Sequence, residues 1–348
     1  MRISDNKLLR KGLEELQQRL PSDWTVELTE SSRNVSRETD GYVHIVSPDR
    51  RVARMAVEVK SRLEPRGVIL LAAQVSDFTE PCLVVAPYLS PMARGRLRDA
   101  NLSFLDLTGN VHLEVREPGL FIHTQGADID PDKKARPSRS LRGAKAGRIV
   151  RSLLESRVPP RVRDLAERAG VDPGYVSRVL TLLDQEALIE RRGHGRIVSV
   201  DWSRLLLRWA EDAPLASRGT QASFLEPRGL QTLQSKLERL DQRYAVTGTL
   251  AAARLAPLAP PRLAMLYVEH ADRAKKDLGL RPAEAGANVL LIEPSDVGVF
   301  EGAVEHDGVR FVATSQVAAD LLTSPGRGPA EAQELMEWMR KNEEVWRG

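Results

Sequence analysis

The sequence predicts a protein of several domains that mix helices and strands, in the α+β or α/β class. Its 348 residues are enough for about two or three domains. Apolar residues make up 42% and charged residues 28% of the chain, which is typical of a globular protein and excludes a disordered one. Three patterns follow one another: alternating strand-like and helical runs, then three helical stripes before a basic hairpin, and finally continuous apolar runs typical of buried strands.

These patterns divide the chain into three predicted domains. Their boundaries are residues 1–128, 145–212 and 220–348, with a basic linker at residues 129–144. A second linker is expected around residues 214–227, after a helix at 202–209. We also expect the central domain to have an apolar core of its own.

The first predicted domain mixes strand-like and helical runs. Leu9, Leu13, Leu16 and Leu20 mark an opening helix. Further helices are predicted near residues 68–75 and after Ser90-Pro91. Strands are predicted at residues 24–28, 42–46, 52–59, 82–86 and 103–107, with a closing hairpin at 111–115 and 120–123.

Asp40, Glu58 and Lys60 are the candidate chemical residues of the first domain. Val57 and Val59 alternate with Glu58 and Lys60, so Glu58 and Lys60 share one face of a strand. Two acids can hold Mg²⁺, and a neighbouring lysine can orient the attacking water and stabilise charge developing on a phosphate. The alternative is a surface ion pair between Glu58 and Lys60, worth at most about 1 kcal/mol.

The stretches TDGYVHI and MAVEVKSRL, followed by a helix that carries Gln74, resemble the core of PD-(D/E)xK nucleases. The resemblance implies a restriction-endonuclease-like fold in which Asp40 and Glu58 bind the metal ion. It also implies that Lys60 is the catalytic lysine and that Gln74 assists. The chain departs from the family motif in having Thr39 before Asp40. A nuclease-like fold that serves only as a platform for DNA or a partner is the alternative.

Cysteine use and hydropathy indicate the compartment. The single cysteine, Cys82, lies in an apolar run, which argues against a disulfide framework and fits a reducing cytosol. The first residues lack an apolar signal core, and no stretch approaches transmembrane length, so no membrane association is expected. The six histidines are scattered and form no zinc signature. A cytoplasmic, nucleoid-associated protein is expected.

A basic run leads into the central domain. Its members are Lys133, Lys134, Arg136, Arg139, Arg142, Lys145, Arg148 and Arg151. Such a concentration of charge beside a DNA-binding motif is typical of a surface that contacts phosphates. A solvated linker is the alternative.

Three apolar stripes at helical spacing form the centre of the chain. Gly170 lies between the second and third stripes, where a tight turn requires φ > 0. Asp172 offers an N-cap oxygen, and Pro173 a preset first helical φ. The stripes are Ile149, Val150, Leu153 and Leu154; Val162, Leu165, Ala166 and Ala169; and Val176, Val179, Leu180 and Leu183.

Two strand-like runs, 188–192 and 196–200, follow the third stripe and flank a hairpin tip at 193–195. Three helices and a basic hairpin are the order of a winged helix-turn-helix. In that fold the third helix enters the major groove of DNA, and the hairpin contacts phosphates or the minor groove. The predicted DNA-binding residues are Arg163, Tyr175, Ser177, Arg178, Arg191, Arg192, His194 and Arg196.

The stretch DLAERAGVDPGYVSRVLTLLDQEALIERR resembles the winged helices of bacterial regulators of the IclR and MarR kind. The resemblance implies duplex DNA as a partner, and such regulators often bind two-fold sites as homodimers. The alternative is a winged helix used for protein contacts. A basic outward face, rather than an apolar one, disfavours that alternative.

The last predicted domain contains a helical stripe and buried-strand runs. The stripe is Leu230, Leu233, Leu237 and Leu240, and the runs are RLAMLYVE and ANVLLIEP. The stretch RYAVTGTLAAARLAP predicts a strand, a turn and a helix of small residues. We interpret Thr247-Gly248-Thr249 as a structural turn rather than a nucleotide-binding one.

Residues 244–339 resemble the C-terminal domain of AbiE antitoxins of type IV toxin–antitoxin systems. The likeness is carried by TGTLAAARLAP, VRFVATSQVAADLL and GRGPAEAQELMEWM. It implies a regulator that represses its own operon and counters a nucleotidyltransferase toxin. The chain departs from the simplest family layout, because a nuclease-like domain precedes the winged helix.

Together these patterns indicate a DNA-binding transcriptional regulator of the antitoxin-like kind. Its expected partners are duplex DNA, a toxin protein and a second copy of the chain. One alternative is a Mg²⁺-dependent DNA nuclease that the winged helix targets to DNA. Another is a protein-binding antitoxin whose DNA contact only sets its own expression.

Overall fold

The computed structural model describes residues 3–29, 39–131, 140–192, 195–283 and 285–348. These residues form helices and strands in three sheets, so the mixed class predicted from the sequence is confirmed. Two compact units divide the chain: Met1–Ser138 with Gln185–Ala187, and Arg139–Asp184 with Leu188–Gly348. The predicted division into three domains is finer than these units and stays a prediction. Within the described ranges, no helix is long and apolar enough to cross a membrane.

A seven-stranded sheet is the frame of the first unit, and its strands lie side by side in chain order. They are β1 (Thr25–Thr29), β2 (Gly41–Val46), β3 (Val52–Val59), β4 (Cys82–Ala86), β5 (Ser103–Asp106), β6 (Val111–Val115) and β7 (Leu120–Thr124). Strands β3, β4 and β5 are parallel, and the remaining neighbours are antiparallel. Each parallel pair requires a crossover, which a helix provides.

Helices cover both faces of this sheet. They are α1 (Ile3–Gln17), α2 (Pro65–Val75) and α3 (Pro91–Asp99). The leucines of α1 pack with Val57 and Val59 on one face, whereas α2 and α3 pack with Val84 on the other. Side chains alternate along a strand, so Glu58, which pairs with Val84, faces the side of α2 and α3.

The second unit begins with three helices and a two-stranded hairpin, residues 144–200, here called the helix–hairpin segment. Its elements are α4 (Ala144–Glu155), α5 (Val162–Ala169), α6 (Pro173–Gln185), β8 (Ile189–Arg192) and β9 (Arg196–Val200). Gly170 adopts a left-handed φ of +59° between α5 and α6. Asp172 accepts hydrogen bonds from the backbone N of Gly174 and Tyr175, at 2.8 and 3.1 Å. The predicted turn and N-cap are therefore confirmed.

The rest of the second unit is a second seven-stranded sheet with helices around it. The strands are β10 (Gly219–Leu225), β11 (Tyr244–Thr247), β12 (Ala264–Val268), β13 (Arg281–Pro282), β14 (Val289–Pro294), β15 (Val304–His306) and β16 (Val309–Phe311), in the order β13-β10-β14-β12-β11-β16-β15. The helices are α7 (Trp202–Asp212), α8 (Leu230–Leu237), α9 (Gly248–Ala252), α10 (Ala271–Asp277), α11 (Thr314–Leu322), α12 (Gly328–Lys341) and α13 (Glu343–Trp346).

The expected linker at residues 214–227 is wrong. It contains a short 3₁₀ turn, Leu215–Ser217, and strand β10, which lies between β13 and β14. Most side chains of β10 are partly or fully exposed, so its sequence lacks the apolar run that marks the neighbouring strands. Backbone pairing with β14, from Gly219 to Phe224, holds the strand in the sheet.

The helix–hairpin segment shares its interior with the second sheet, because α4 and α7 pack against α11. Arg151 of α4 is buried and donates from Nη1 to Oε1 of Gln316 at 2.9 Å. Arg347 donates to the carbonyl oxygens of Leu154 and Ser156, at 2.9 and 2.8 Å, and so caps the C-terminal end of α4. The expectation of a self-contained core does not hold for α4, which is covered by this region.

Glu155, the last residue of α4, provides a test of this packing. Burial raises the pKa of Glu155 to about 7, although a hydrogen bond from Ser315 opposes the rise. The folded pKa lies above the unfolded one, so Glu155 stabilises the fold at low pH, and this stability is lost as the pH rises through about 7. We expect Glu155→Gln to raise the free energy of unfolding by about 2–3 kcal/mol at pH 8, with the gain shrinking towards zero near pH 4.

Denaturant unfolding at the two pH values measures this difference. Glu334→Gln, at an exposed position of α12, is the matched control and should leave the free energy of unfolding unchanged. A gain from Glu155→Gln that does not depend on pH would contradict the assignment.

Candidate functional site

Asp40 and Glu58 lie opposite each other at the ends of two paired strands. Gly41 pairs with Val57 in the antiparallel register of β2 and β3, so Asp40, one residue earlier, faces Glu58, one residue later. The backbone N of Asp40 donates to the carbonyl oxygen of Val57 at 3.0 Å, and Oδ2 of Asp40 accepts from the backbone N of Val59 at 2.9 Å. The strand pairing itself therefore brings the two carboxylates together.

Glu58 and Lys60 form an ion pair whose carboxylate is buried. The side chain of Glu58 is 3% exposed, and that of Lys60 is 30% exposed. Nζ of Lys60 lies 2.6 Å from Oε2 of Glu58. The alternative of a surface ion pair is wrong, because the carboxylate is removed from water.

Burial and neighbouring charges perturb the titration of this group. Burial raises the pKa of Glu58, the hydrogen bond and charge of Lys60 oppose the rise, and the charge of Asp40 adds to it. The thiol of Cys82, on β4, has its pKa raised to about 12 by burial and by the charge of Glu58. Cys82 is therefore a thiol rather than a nucleophilic thiolate at neutral pH. The carboxylates of Asp40 and Glu58 repel each other, and a bound cation would relieve that repulsion.

Gln74, the fourth predicted catalytic residue, is exposed on α2, while Val68, Leu71 and Val75 form the buried side of that helix. Among the described residues, no group of three or more His, Cys, Asp or Glu side chains is arranged to hold a metal ion. Two carboxylates still meet the minimum that Mg²⁺ needs, because this ion keeps several of its own waters.

Helix α6 turns a polar face to solvent. Ser177, Arg178 and Thr181 are exposed, and Tyr175 is half-buried, while the valine and leucine stripe of the helix is buried. The guanidinium of Arg178 lies 5.6 Å from the ring centroid of Tyr175. Oγ1 of Thr181 donates to the carbonyl oxygen of Ser177 at 2.8 Å. Ser177, Arg178 and Thr181 therefore lie on the solvent-facing side of α6, opposite its apolar stripe.

Arg191 joins the hairpin to α6. Its Nη1 lies 3.5 Å from Oγ1 of Thr181. Gly195 has a φ of +88°, and a Cβ added there would lie 2.6 Å from Nη2 of Arg191. The left-handed φ favours glycine at this turn, whereas the guanidinium lies at the end of a flexible side chain that can move aside. The hairpin and the polar face of α6 therefore form one continuous surface.

The other predicted DNA-binding residues differ in their surroundings. Arg163 on α5 and Arg196 on β9 are exposed. The side chain of Arg192 is 74% exposed and pairs with Glu190 at 2.9 Å. His194 lies outside the described residues.

The basic run before the segment divides into three parts. Arg142 and Lys145 are exposed. Nε of Arg148 lies 3.1 Å from Oδ1 of Asp296, and Nη2 of Arg151 lies 3.4 Å from Oδ2 of the same residue. The expectation that Arg148 and Arg151 contact phosphates is therefore wrong. The members outside the described residues are Lys133, Lys134, Arg136 and Arg139.

A buried polar cluster around Asp320 was not predicted. Asp320 accepts hydrogen bonds from Thr247 at 2.6 Å, Gln316 at 2.8 Å and Tyr267 at 3.1 Å. Nε of Arg218 lies 3.3 Å from its Oδ1. Burial raises the pKa of Asp320, and these four partners oppose the rise. The signal in the sequence is a single acid inside the otherwise apolar run VAADLL.

One comparison with known proteins bears on this region. Residues 196–339 match a family model described as a transcriptional regulator, the AbiEi antitoxin of a type IV toxin–antitoxin system. The matched part begins in β9 and ends in α12, so it includes α7 and all strands of the second sheet. It also contains residues 244–339, and the antitoxin likeness predicted there is confirmed. No curated protein and no solved structure matches the chain.

Lys60→Ala tests the ion pair at the end of β3. The substitution leaves a buried carboxylate without its nearest cation, so the free energy of unfolding should fall by about 2–3 kcal/mol at pH 7. The pKa of Glu58 is already raised, so its protonated form favours the fold and stability is lost as the pH rises through the folded pKa. Without Lys60 the pKa rises further, and the deficit should shrink towards pH 4.

The double variant Glu58→Gln with Lys60→Ala should recover most of the lost stability at pH 7, because no buried charge remains. Denaturant unfolding of the three proteins at both pH values measures the effect. A double variant that is no more stable than Lys60→Ala would show that the charge of Glu58 is not the cause.

Proposed function

We propose that the protein is a DNA-binding transcriptional regulator of the antitoxin type and that it contacts duplex DNA through the helix–hairpin segment. The match of residues 196–339 to AbiEi antitoxin regulators supports the roles in transcription and in a toxin–antitoxin system. Three helices followed by a two-stranded hairpin, in this order, support a winged helix as the means of contact.

The observation that carries the DNA contact is the polar face of α6 and its continuity with the basic hairpin. Ser177 and Arg178 are exposed on the helix that would enter the major groove, where side chains of these types bind base edges. Arg192 and Arg196 are exposed on the hairpin, where they would contact phosphates or the minor groove. The contact between Arg191 and Thr181 would keep the two parts in register on one duplex.

Partners and location follow from the same proposal. A type IV antitoxin acts with a toxin, so the family match supports a toxin protein as the second partner. Winged-helix regulators often bind two-fold DNA sites as homodimers, and we propose the same for this chain. Because its proposed target is DNA, we propose that the protein is cytoplasmic and associated with the nucleoid.

A second candidate function is Mg²⁺-dependent DNA cleavage by the first unit, favoured by the proximity of Asp40, Glu58 and Lys60. Asp40 and Glu58 would hold the ion, which would supply Lewis-acid stabilisation of the phosphate. Lys60 would stabilise the charge that develops in the transition state. We place this function second because Lys60 already neutralises Glu58, and Gln74 is turned to solvent.

Salt-dependent DNA binding is the first expected outcome. In a mobility-shift assay with the DNA upstream of its own gene and with a scrambled duplex, each phosphate contact should contribute about −0.9 to the log–log salt slope. Arg192→Ala with Arg196→Ala should weaken binding to both duplexes alike and flatten the slope by roughly two such contributions. Arg178→Ala should cost about 1–3 kcal/mol on the upstream DNA alone.

Arg340→Ala is the matched control, because Arg340 is an exposed arginine of α12. It should change neither affinity nor slope. Absence of binding to both duplexes at low salt would refute the assignment of the helix–hairpin segment.

Cleavage is tested separately with supercoiled, linear and single-stranded DNA in the presence of Mg²⁺ or Mn²⁺. If the second candidate function holds, Lys60→Ala should abolish cleavage and leave DNA affinity intact, because a catalytic lysine acts mainly in the transition state. Lys11→Ala, at an exposed lysine of α1, should cleave like the wild type. DNA binding by the wild type without cleavage of any substrate would eliminate the nuclease and leave the regulator.

A further inference from the structure

A cavity of about 250 Å³ lies in the second unit, where the beginning of α4 meets α7 and the second sheet. Gly143, Gly147, Trp209 and Tyr267 are among the residues that line it. The space is well above that of one water molecule and below that of a typical site for a drug-sized ligand. None of the residues proposed to contact DNA lines this junction cavity.

Two buried arginines line this cavity, and each has one guanidinium nitrogen that donates no hydrogen bond to the described residues. The side chains of Arg151 and Arg218 are 10% and 8% exposed. Within the described part of the chain, Nε of Arg151 and Nη2 of Arg218 have no hydrogen-bond partner, although other nitrogens of both residues are engaged. These two nitrogens are closed to solvent, so the arginines contribute to the cavity through the positive charge of their guanidinium groups rather than through these donors.

The N-terminal end of α4 adds to the positive potential of the cavity. Gly143 and Ala144 line the cavity at the start of this 12-residue helix. Gly143 has a φ of +94° and no side chain that could accept from the first N–H groups of the helix. Free N–H groups at a helix N-terminus attract anions. Arg142, which is exposed, stands at the rim.

The acidic groups near the cavity are already paired. Asp296 pairs with both Arg148 and Arg151, and Asp320 pairs with Arg218, so the three arginines exceed these two carboxylates by one positive charge. The apolar part of the wall includes Trp209, Ala213 and Val299, and Ser217, Ser295 and Gln316 add polar groups. The guanidinium of Arg218 lies 4.3 Å from the centroid of the Trp209 ring. The cavity therefore fits a small molecule with an anionic end and a compact apolar or planar remainder.

We propose that the junction cavity binds a small oxyanion, a carboxylate or a phosphate monoester, between Arg151, Arg218 and the N-terminal end of α4. A bound anion would tie α4 to the second sheet. Because α4 belongs to the helix–hairpin segment, the ligand would act as an effector of DNA binding. That last step rests on the proposed function, whereas anion binding does not.

Isothermal titration calorimetry of the full chain with inorganic phosphate, benzoate and adenosine monophosphate tests the binding. Sodium chloride at matched ionic strength is the control for general screening. We expect saturable binding of at least one probe, accompanied by a rise in Tm that grows with its concentration. Comparison of benzoate with the two phosphates identifies which oxyanion the site takes.

Variants at two positions examine the site without changing its net charge. Arg218→Lys keeps a cation near Asp320 but lacks the forked donors, and it should weaken binding at least tenfold. Gly147→Leu should fill the cavity, whereas Gly147→Ala should bind nearly as the wild type does, because a Cβ at this position would lie an ordinary 3.6 Å from Trp209. Arg340→Lys, an exposed arginine outside the cavity, should bind like the wild type.

Absence of saturable binding for all three probes would overturn the proposal, as would equal binding by the wild type, Arg218→Lys and Gly147→Leu. The effector role is measured as a change of at least threefold in DNA affinity when the anion is added at constant ionic strength. An anion that binds without changing DNA affinity would overturn the effector role. A protein that binds the anion but no DNA would refute the proposed function and leave the anion site standing.

Discussion

Buried charge that must find a partner is the constraint on which the second unit depends. Arg148 and Arg151 lie on α4, and their partners Asp296 and Gln316 come from the turn after β14 and from α11. Removing an arginine or a carboxylate from water is costly unless the opposite charge or a good acceptor meets it. If α4 moved away, it would leave both arginines and Asp296 without these contacts. The helix–hairpin segment is therefore held in a defined orientation on the second sheet.

Local signals in the sequence were sufficient where a single residue decides the backbone. Gly170 and Asp172 fixed the turn and start of α6, because a left-handed φ and an N-cap oxygen are requirements of adjacent residues alone. Strand β10 could not be predicted in this way. It is held by backbone pairing with β14, which lies about seventy residues later, and its own side chains give no apolar run.

The residues of the candidate sites also differ in whether the local sequence was enough to predict their positions. The convergence of Glu58 and Lys60 could be predicted, because strand alternation places them on one side, and the register of β2 then brings Asp40 opposite Glu58. The exposure of Gln74 could not be predicted, because the rotation of α2 about its axis is set by how its apolar side packs on the sheet. Charge alone also misled the interpretation of Arg151, since a sequence does not indicate whether a cation meets phosphate or a buried partner.

Cys82 has a practical consequence for studying the first unit. It is the single cysteine of the chain, and it is buried on β4 in register with Ala56 of β3. A thiol reagent can reach it only when this part of the sheet opens, and the raised pKa keeps the closed form unreactive. The rate of alkylation would therefore report how often this end of β4 and the helices that cover it open. Cys82 is thus a natural reporter of local opening in this part of the first unit, and no label has to be introduced.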